Sequence, residues 1–239
     1  MIPYNRHQSV LEYLQKRHSA TIKELASALY TSEATIRRDI AKLESEGFVE
    51  RIYGGVLISG HENSVVPVNV RESANASLKE IVAKKAAQLI SDGDTVILDS
   101  STTAFRVCKY IHGKKHVKII TNNLRVCHAL ADAENITVYC TGGKFIGQSS
   151  CFLGPAAEQY IRGINADILL FSSQAISQTG LITDVGEPEI AIRKVMMEQA
   201  SKQYFLCDST KFGQMRPFTL CSKDDITGII CDTDLTFAE

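Results

Sequence analysis

"TIRRDIAKLESEGFVERIYGG", residues 35–55, decides how the first quarter of this chain folds. Placed about 100° apart around a helix axis, Ile36, Ile40 and Leu43 fall in one narrow stripe, which must face a small core. Arg38 lies almost opposite that stripe and Arg37 points sideways. Ala34 and Thr35 flank the outer side toward the helix N-terminus. Gly47 is placed to end the helix in a left-handed conformation. Residues 48–52 and 56–58 read as strands, joined by Tyr53-Gly54-Gly55 as a hairpin tip.

Outward from that stretch, residues 3–17 read as a first helix. Pro3 suits a first turn, and Val10, Leu11 and Leu14 share a face. Thr21-Ile22-Lys23-Glu24 is a capping box that opens a short second helix with Leu25, Ala26 and Leu29. Ser32 caps the third helix, which runs to about Glu46. Three helices and a two-stranded wing make a winged helix-turn-helix, expected over residues 1–58.

In such a module the N-terminal part of the second helix of the motif reads base edges in the major groove. Arg38 is placed to reach a guanine O6/N7 pair, and Arg37 a phosphate on the groove wall. Thr35 can touch a thymine methyl or a phosphate. Arg51 and Tyr53 stand beside the glycine-tipped wing, and Ala34 and Lys23 complete the DNA-binding set. The competing reading makes Arg37 and Arg38 solvated charges, with Glu33–Arg37 a favourable i,i+4 pair. Residues 1–57 carry eight Lys and Arg against seven Asp and Glu, so the argument for DNA rests on placement rather than on net charge.

The whole chain of 239 residues has a formal net charge of −1, so no global basic excess announces a polyanion partner. Its seven cysteines never form Cys-x-x-Cys, which reads as reduced structural thiols in a cytosol. Residues 1–20 alternate polar and apolar, with no signal peptide, and no apolar run reaches the ~18 residues of a membrane span. A cytoplasmic protein is expected, without membrane association.

Residues 59–77, "SGHENSVVPVNVRESANAS", lose helical periodicity and read as a linker. Ser77-Leu78-Lys79-Glu80 is a second capping box, opening a helix to about Ser91 and a domain over 78–239. From there nearly all-apolar strands (95–99, 117–120, 136–140, 166–171, 203–207, 228–231) alternate with helices (103–112, 123–131, 155–162, 188–200). That pattern predicts an α/β domain with a mostly parallel sheet covered on both faces.

"ILDSSTTAF" (97–105) takes a buried strand through Asp99 into a helix via small hydroxylated residues. A helix N-terminus offers free N–H groups and a positive dipole end to an anion, and Ser101, Thr102 and Thr103 add hydroxyls. The competing reading is an ordinary Ser/Thr N-cap. Further polar loops follow other strands: "TNN" (121–123) with Asn122, "TGGK" (141–144) with Gly142, Gly143 and Lys144, and "DSTKFG" (208–213) with Asp208 and Lys211. In open α/β sheets ligands gather at the carboxyl ends of the strands. The lysines suit an anion, and Asp99 and Asp208 can accept from sugar hydroxyls.

Residues 35–55 closely resemble the signature of the DeoR family of bacterial transcription regulators. There a Thr-Ile-Arg-Arg-Asp recognition helix precedes a wing ending in Arg-x-His-Gly-Gly; here Tyr53 stands where histidine is usual. The strand-end loops resemble that family's effector domain, with its Asp-Ser-Gly-Thr-Thr, Thr-Asn-Asn, Gly-Gly and Asp-x-x-Lys-Phe-Gly stretches. Ser101 replaces a common glycine, and the usual glycine-rich stretch after the fourth strand reads "FSSQAISQTG" (171–180). The resemblance implies an effector domain similar to ribose-5-phosphate isomerase that senses phosphorylated sugars.

The expected function is a DNA-binding transcription regulator, a repressor of a carbohydrate-catabolic operon, relieved by a phosphorylated sugar. Its partners would be double-stranded operator DNA, the sugar phosphate, and further copies in a dimer or tetramer, since repressors read repeated half-sites. The alternatives are a sugar-phosphate isomerase with a fused nucleic-acid module, for which no catalytic glutamate loop is visible, and an RNA- or protein-binding winged helix. No cofactor is expected. His112 and His116 straddle Gly113 without a third ligand, so no metal is expected either. Glu187 and Glu189, beside Pro188, read as favourable carboxylates at a helix start or as ligand or subunit contacts.

Overall fold

The computed structural model describes residues 3–17, 19–52, 55–58 and 68–238. The chain divides into two compact units, Met1–Val70 and Arg71–Glu239.

The first unit contains α1 (Pro3–Arg17), β1 (Ser19–Ala20), α2 (Ile22–Ala28), α3 (Glu33–Ser45), β2 (Val49–Ile52) and β3 (Gly55–Ile58). Val10, Leu14, Leu25, Ile36, Ile40 and Leu43 are its fully enclosed centre, with Phe48, Val49 and Val56 from the strands. The expected caps form. Thr21 and Glu24 close a capping box, the Ser32 hydroxyl accepts from the Thr35 N–H at 3.2 Å, and Gly47 takes φ 79° after α3.

The wing has three strands rather than two, in the order β1-β3-β2. Ser19 and Ala20 pair antiparallel with Leu57 and Val56. Gly55 belongs to β3 opposite Ile52 rather than to the hairpin tip. A Cβ there would lie 2.7 Å from the Ala20 carbonyl oxygen, so glycine is what lets β1 approach. Tyr53 and Gly54 lie outside the described residues, as do residues 59–67 of the expected linker.

The rest of that stretch is two helices joined by a turn at residues 74–75. α4 (Val68–Ser73) carries the chain into the second unit, and Asn75 at φ 54°, ψ 35° turns it into α5 (Ala76–Ala87). The second capping box does not form. Asn75 occupies the cap position, because Glu80 is drawn to the next helix, α6 (Thr102–Ile111). There its carboxylate accepts from Arg106 Nη1 at 3.1 Å, Tyr110 Oη at 2.5 Å, and Lys109 Nζ.

Six strands form the main sheet: β4 (Thr95–Leu98), β5 (Val117–Thr121), β6 (Ile136–Cys140), β9 (Ala166–Phe171), β12 (Ala200–Cys207) and β14 (Gly228–Cys231). Their order is β14-β12-β9-β4-β5-β6 and every neighbouring pair is parallel. Val96, Leu98, Ile119 and Leu170 point into a core with α5, α6 and α7 (Leu124–Ala129). Ile97, Ile120, Leu169, Phe171 and Phe205 point into the opposite core with α8 (Pro155–Arg162) and α9 (Glu187–Glu198). Burial on both faces explains the near-continuous apolar strands.

In the second unit five short strands lie outside the strands expected from the sequence. β7 (Lys144–Ile146) and β8 (Cys151–Leu153) make an antiparallel ribbon, while β10 (Ala175–Ile176), β11 (Leu181–Asp184) and β13 (Phe218–Ser222) form a small antiparallel sheet. No helix among the described residues is long and apolar enough to cross a membrane.

Candidate functional sites

The outer face of α3 carries the first site. Ile36, Asp39, Ile40 and Leu43 are buried, while Ala34, Arg37 and Arg38 are exposed. Arg38 makes no ion pair among the described residues. Arg37 Nη2 lies 3.3 Å from Glu33 Oε2, both ends exposed, and such pairs contribute little. Thr35 Oγ1 lies 2.9 Å from Ser32 Oγ, within the helix cap. Arg51 Nε lies 3.0 Å from Glu44 Oε2, and its Nη2 donates to the Arg37 carbonyl at 3.4 Å. Lys23, Arg37 and Arg51 come together on one groove of about 430 Å³, with Thr21, Ile22, Glu33 and Gly55. Ala34 and Arg38 lie outside that lining, on the open face of the helix.

Sequence reasoning missed Asp39. It is 5% exposed, and accepts from Arg6 Nε at 2.5 Å and Nη2 at 3.0 Å, with His7 Nε2 at 3.1 Å. Burial works against its charge, but the Arg6 and His7 hydrogen bonds hold the carboxyl below its usual range. The pair ties α1 to the back of α3 and fixes how the outer face is presented. The available signal was an aspartate between core positions, which demands a partner.

The second site lies at the carboxyl ends of the parallel strands. From β4 the chain proceeds outward through β5 to β6, then returns to place β9, β12 and β14 on the other side. The crevice of such a sheet opens where this order reverses, here between β4 and β9. Asp99 follows β4 there, 1% exposed. Its Oδ1 accepts from the Ser101 N–H at 3.0 Å, and its Oδ2 from the Ser172 N–H at 3.2 Å and from Arg193 Nε at 2.9 Å. Arg193 Nη1 reaches Asp184 Oδ2 at 2.7 Å. Burial opposes the Arg193 charge, but Asp184 and Asp99 outweigh it and raise the guanidinium pKa. Asp99 is therefore occupied in positioning the β4 and β9 loops.

Ser101 proves to be the N-cap of α6, accepting from the Ala104 N–H at 3.1 Å. Thr102 and Thr103 form the first turn, 4% and 0% exposed, and the N–H groups of a first turn have no intrahelical partner. Thr103 Oγ1 is buried without a hydrogen-bond partner among the described residues, as are Asn122 Oδ1 and Asp208 Oδ2. Asn122 Nδ2 donates to the Phe152 carbonyl at 3.0 Å, which joins the end of β5 to β8. Gly142 and Gly143 take φ 64° and 107°, and a Cβ on Gly143 would lie 3.0 Å from the Leu153 carbonyl oxygen. Those glycines therefore serve the turn into β7. Lys144 is exposed on the β7–β8 ribbon and makes no ion pair among the described residues.

Lys211 does converge on the crevice. Its Nζ donates to Ser172 Oγ and to the Ser173 carbonyl, each at 2.8 Å. Sequence reasoning missed the cations that α4, α5 and α6 bring beside it. Lys79 is 4% exposed, and its Nζ donates to the carbonyls of Arg71 at 2.5 Å and Ala74 at 2.6 Å. Burial, with the nearby charges of Lys211, Arg106 and Arg71, pushes Lys79 down to about 8 against the pull of Asp208. Burial and Arg193 likewise lower Arg71. Asn75 Nδ2 donates to Thr210 Oγ1 at 2.9 Å, and Thr210 in turn to Asp208 Oδ1. These residues lie in a segment read as linker and helix start, and only the fold carries them to the strand ends. A cluster richer in cations than in free carboxylates, beside an open helix N-terminus, is suited to an anion.

Comparison with known proteins places both parts of the chain in one family. Residues 6–61 match the model of the DeoR-like helix-turn-helix domain, and residues 74–233 that of the DeoR C terminal sensor domain. A putative aga operon transcriptional repressor of Escherichia coli O157:H7 is 32% identical over 95% of this chain and 85% of its own. The transcriptional regulator GolR of Listeria innocua is 29% identical over 100% and 94%, and an L-fucose operon activator of Haemophilus influenzae is 27% identical over 96% and 92%. Among solved structures, ribose 5-phosphate isomerase A of Neisseria gonorrhoeae covers 59% of this chain and 55% of its own, at 13% identity and a TM-score of 0.43.

Proposed function

Since the chain belongs to the DeoR family and is a DNA-binding transcription regulator rather than an enzyme, we propose that it represses a carbohydrate-catabolic operon and is released by a phosphorylated sugar. Operator DNA is bound through the outer face of α3 and the wing. The sugar phosphate is bound at the strand ends, with its phosphate on the Thr102–Thr103 turn and its charge balanced by Lys211. Asn122 and Asp208 are the acceptors for its hydroxyls. The protein works as a dimer or tetramer in the cytoplasm, where the operator is.

One observation carries the reading of the sensor: Thr103 Oγ1, on a fully buried side chain in the first turn of α6, lacks a hydrogen-bond partner among the described residues. An orphaned hydroxyl beside open helix N–H groups, at the reversal point of a parallel sheet, is what a phosphate would satisfy. The names of relatives concerned with the aga and L-fucose operons support a carbohydrate-linked target.

Thr102→Asp tests the cradle. A carboxylate in the first turn suits the helix dipole, so the fold should survive, but it repels a phosphate. Calorimetric titration with a panel of aldose and ketose phosphates should show binding in the wild type and none in the variant. Operator binding without ligand should stay near wild type. Wild-type affinity in Thr102→Asp would move the phosphate elsewhere and refute the cradle.

A further inference from the structure

We infer that Lys79 couples the sensor site to the segment leading toward the DNA-binding unit: two of its N–H bonds cap the C-terminal end of α4, and the third is left for an anion at the strand ends. This rests on the proposal above that an anion binds there.

The geometry sets the requirement. Lys79 is 4% exposed and makes no ion pair among the described residues, so its ammonium has lost water without gaining a carboxylate partner. What it has instead are two carbonyls, of Arg71 at 2.5 Å and Ala74 at 2.6 Å. These stand at the end of α4, which is six residues long, too short to hold its own helical form without outside contacts. Carbonyls at a helix end carry the negative pole of the dipole and favour a cation. The cap is therefore as strong as the ammonium's hold on its charge.

That hold is weakened by the neighbourhood. Lys211, Arg106 and Arg71 place like charge near Lys79, and Asp208 acts in its favour. Arg106 is already held by Glu80. An anion seated among these cations removes the repulsion and accepts the third N–H. It strengthens the cap and orders α4, which continues toward residues 59–67 and the winged helix. A ligand can alter an equilibrium only through such a difference between two states.

Hydrogen exchange on the full-length protein reads this directly, with inorganic phosphate and glycerol 3-phosphate as probes and calorimetry to establish saturation. In the wild type, saturating anion should slow exchange several-fold both at the first turn of α6 and at residues 71–75. In Lys79→Met the α6 amides should still respond at saturation, with anion affinity reduced several-fold, while residues 71–75 no longer respond. Lys79→Arg should restore the response. If the wild type protects α6 but not residues 71–75, or if Lys79→Met protects both, Lys79 is not the coupling residue. If the wild type binds neither probe nor any sugar phosphate, the sensor reading fails and the coupling fails with it. The wild-type comparison stands even if Lys79→Met does not fold.

Discussion

Two neighbouring arginines of α3 stand in different surroundings. Arg38 stands on the open face without an ion pair among the described residues, whereas Arg37 lies in the groove with Lys23 and Arg51 and against Glu33. An arginine free on the outward face suits base recognition, and one on the groove wall suits phosphate. Arg38→Ala should then cost roughly 1–3 kcal/mol of specific binding and relax the preference at one base pair. Arg37→Ala should weaken binding to all sequences and lower the salt slope by about one. Binding to operator and scrambled duplexes at several salt concentrations separates the two. Discrimination that survives Arg38→Ala but is lost in Arg37→Ala would invert the assignment.

At the level of elements, the pairing of α5 with α6 turns on Glu80. Hydrogen bonds from Lys109, Tyr110 and Arg106 lower its carboxyl from 4.5 to about 2. A folded-state pKa below the unfolded one contributes stability that is fully present above the unfolded value and lost as pH falls toward the folded one. The melting temperature of Glu80→Gln should therefore lie below that of the wild type at neutral pH. The gap should shrink as pH falls from about 4.5 toward about 2. A gap independent of pH would mean that Glu80 acts through packing alone.

The same helix shows what sequence leaves illegible. Ser77 and Glu80 have the spacing of a capping box, but spacing cannot show that Arg106, Lys109 and Tyr110 compete for the glutamate from a helix 26 to 30 residues away. Local signals succeeded where the partner is local: Thr21 with Glu24, Ser32 with Thr35, and Gly47 after α3. The alternation of apolar strands with helices revealed the parallel sheet, since burial on both faces leaves its mark on each strand. β1 and β7 were hidden because strands of two and three residues carry no period to detect. At the strand ends, the first turn of α6 was legible because its donors are consecutive. Lys79, Arg71 and Asn75 were not, because only tertiary packing brings them to Lys211 and Asp208.

For the whole molecule, the proposed function requires that the two candidate sites share one free-energy difference. A ligand that releases operator must bind more tightly to the state that does not hold DNA, and DNA must weaken the ligand by the same factor. A coupling of about 1–3 kcal/mol corresponds to a roughly 5- to 150-fold change in each affinity. The chain connection runs from the wing through residues 59–67 into α4, whose end Lys79 caps. The most direct measurement is the affinity of the sugar phosphate selected from the panel, taken by calorimetry on the full-length protein alone and saturated with operator duplex, beside the operator affinity with and without that ligand. Operator should weaken the ligand, and the ligand the operator, by one common factor between about 5 and 150. Ligand affinity unchanged by operator would contradict it.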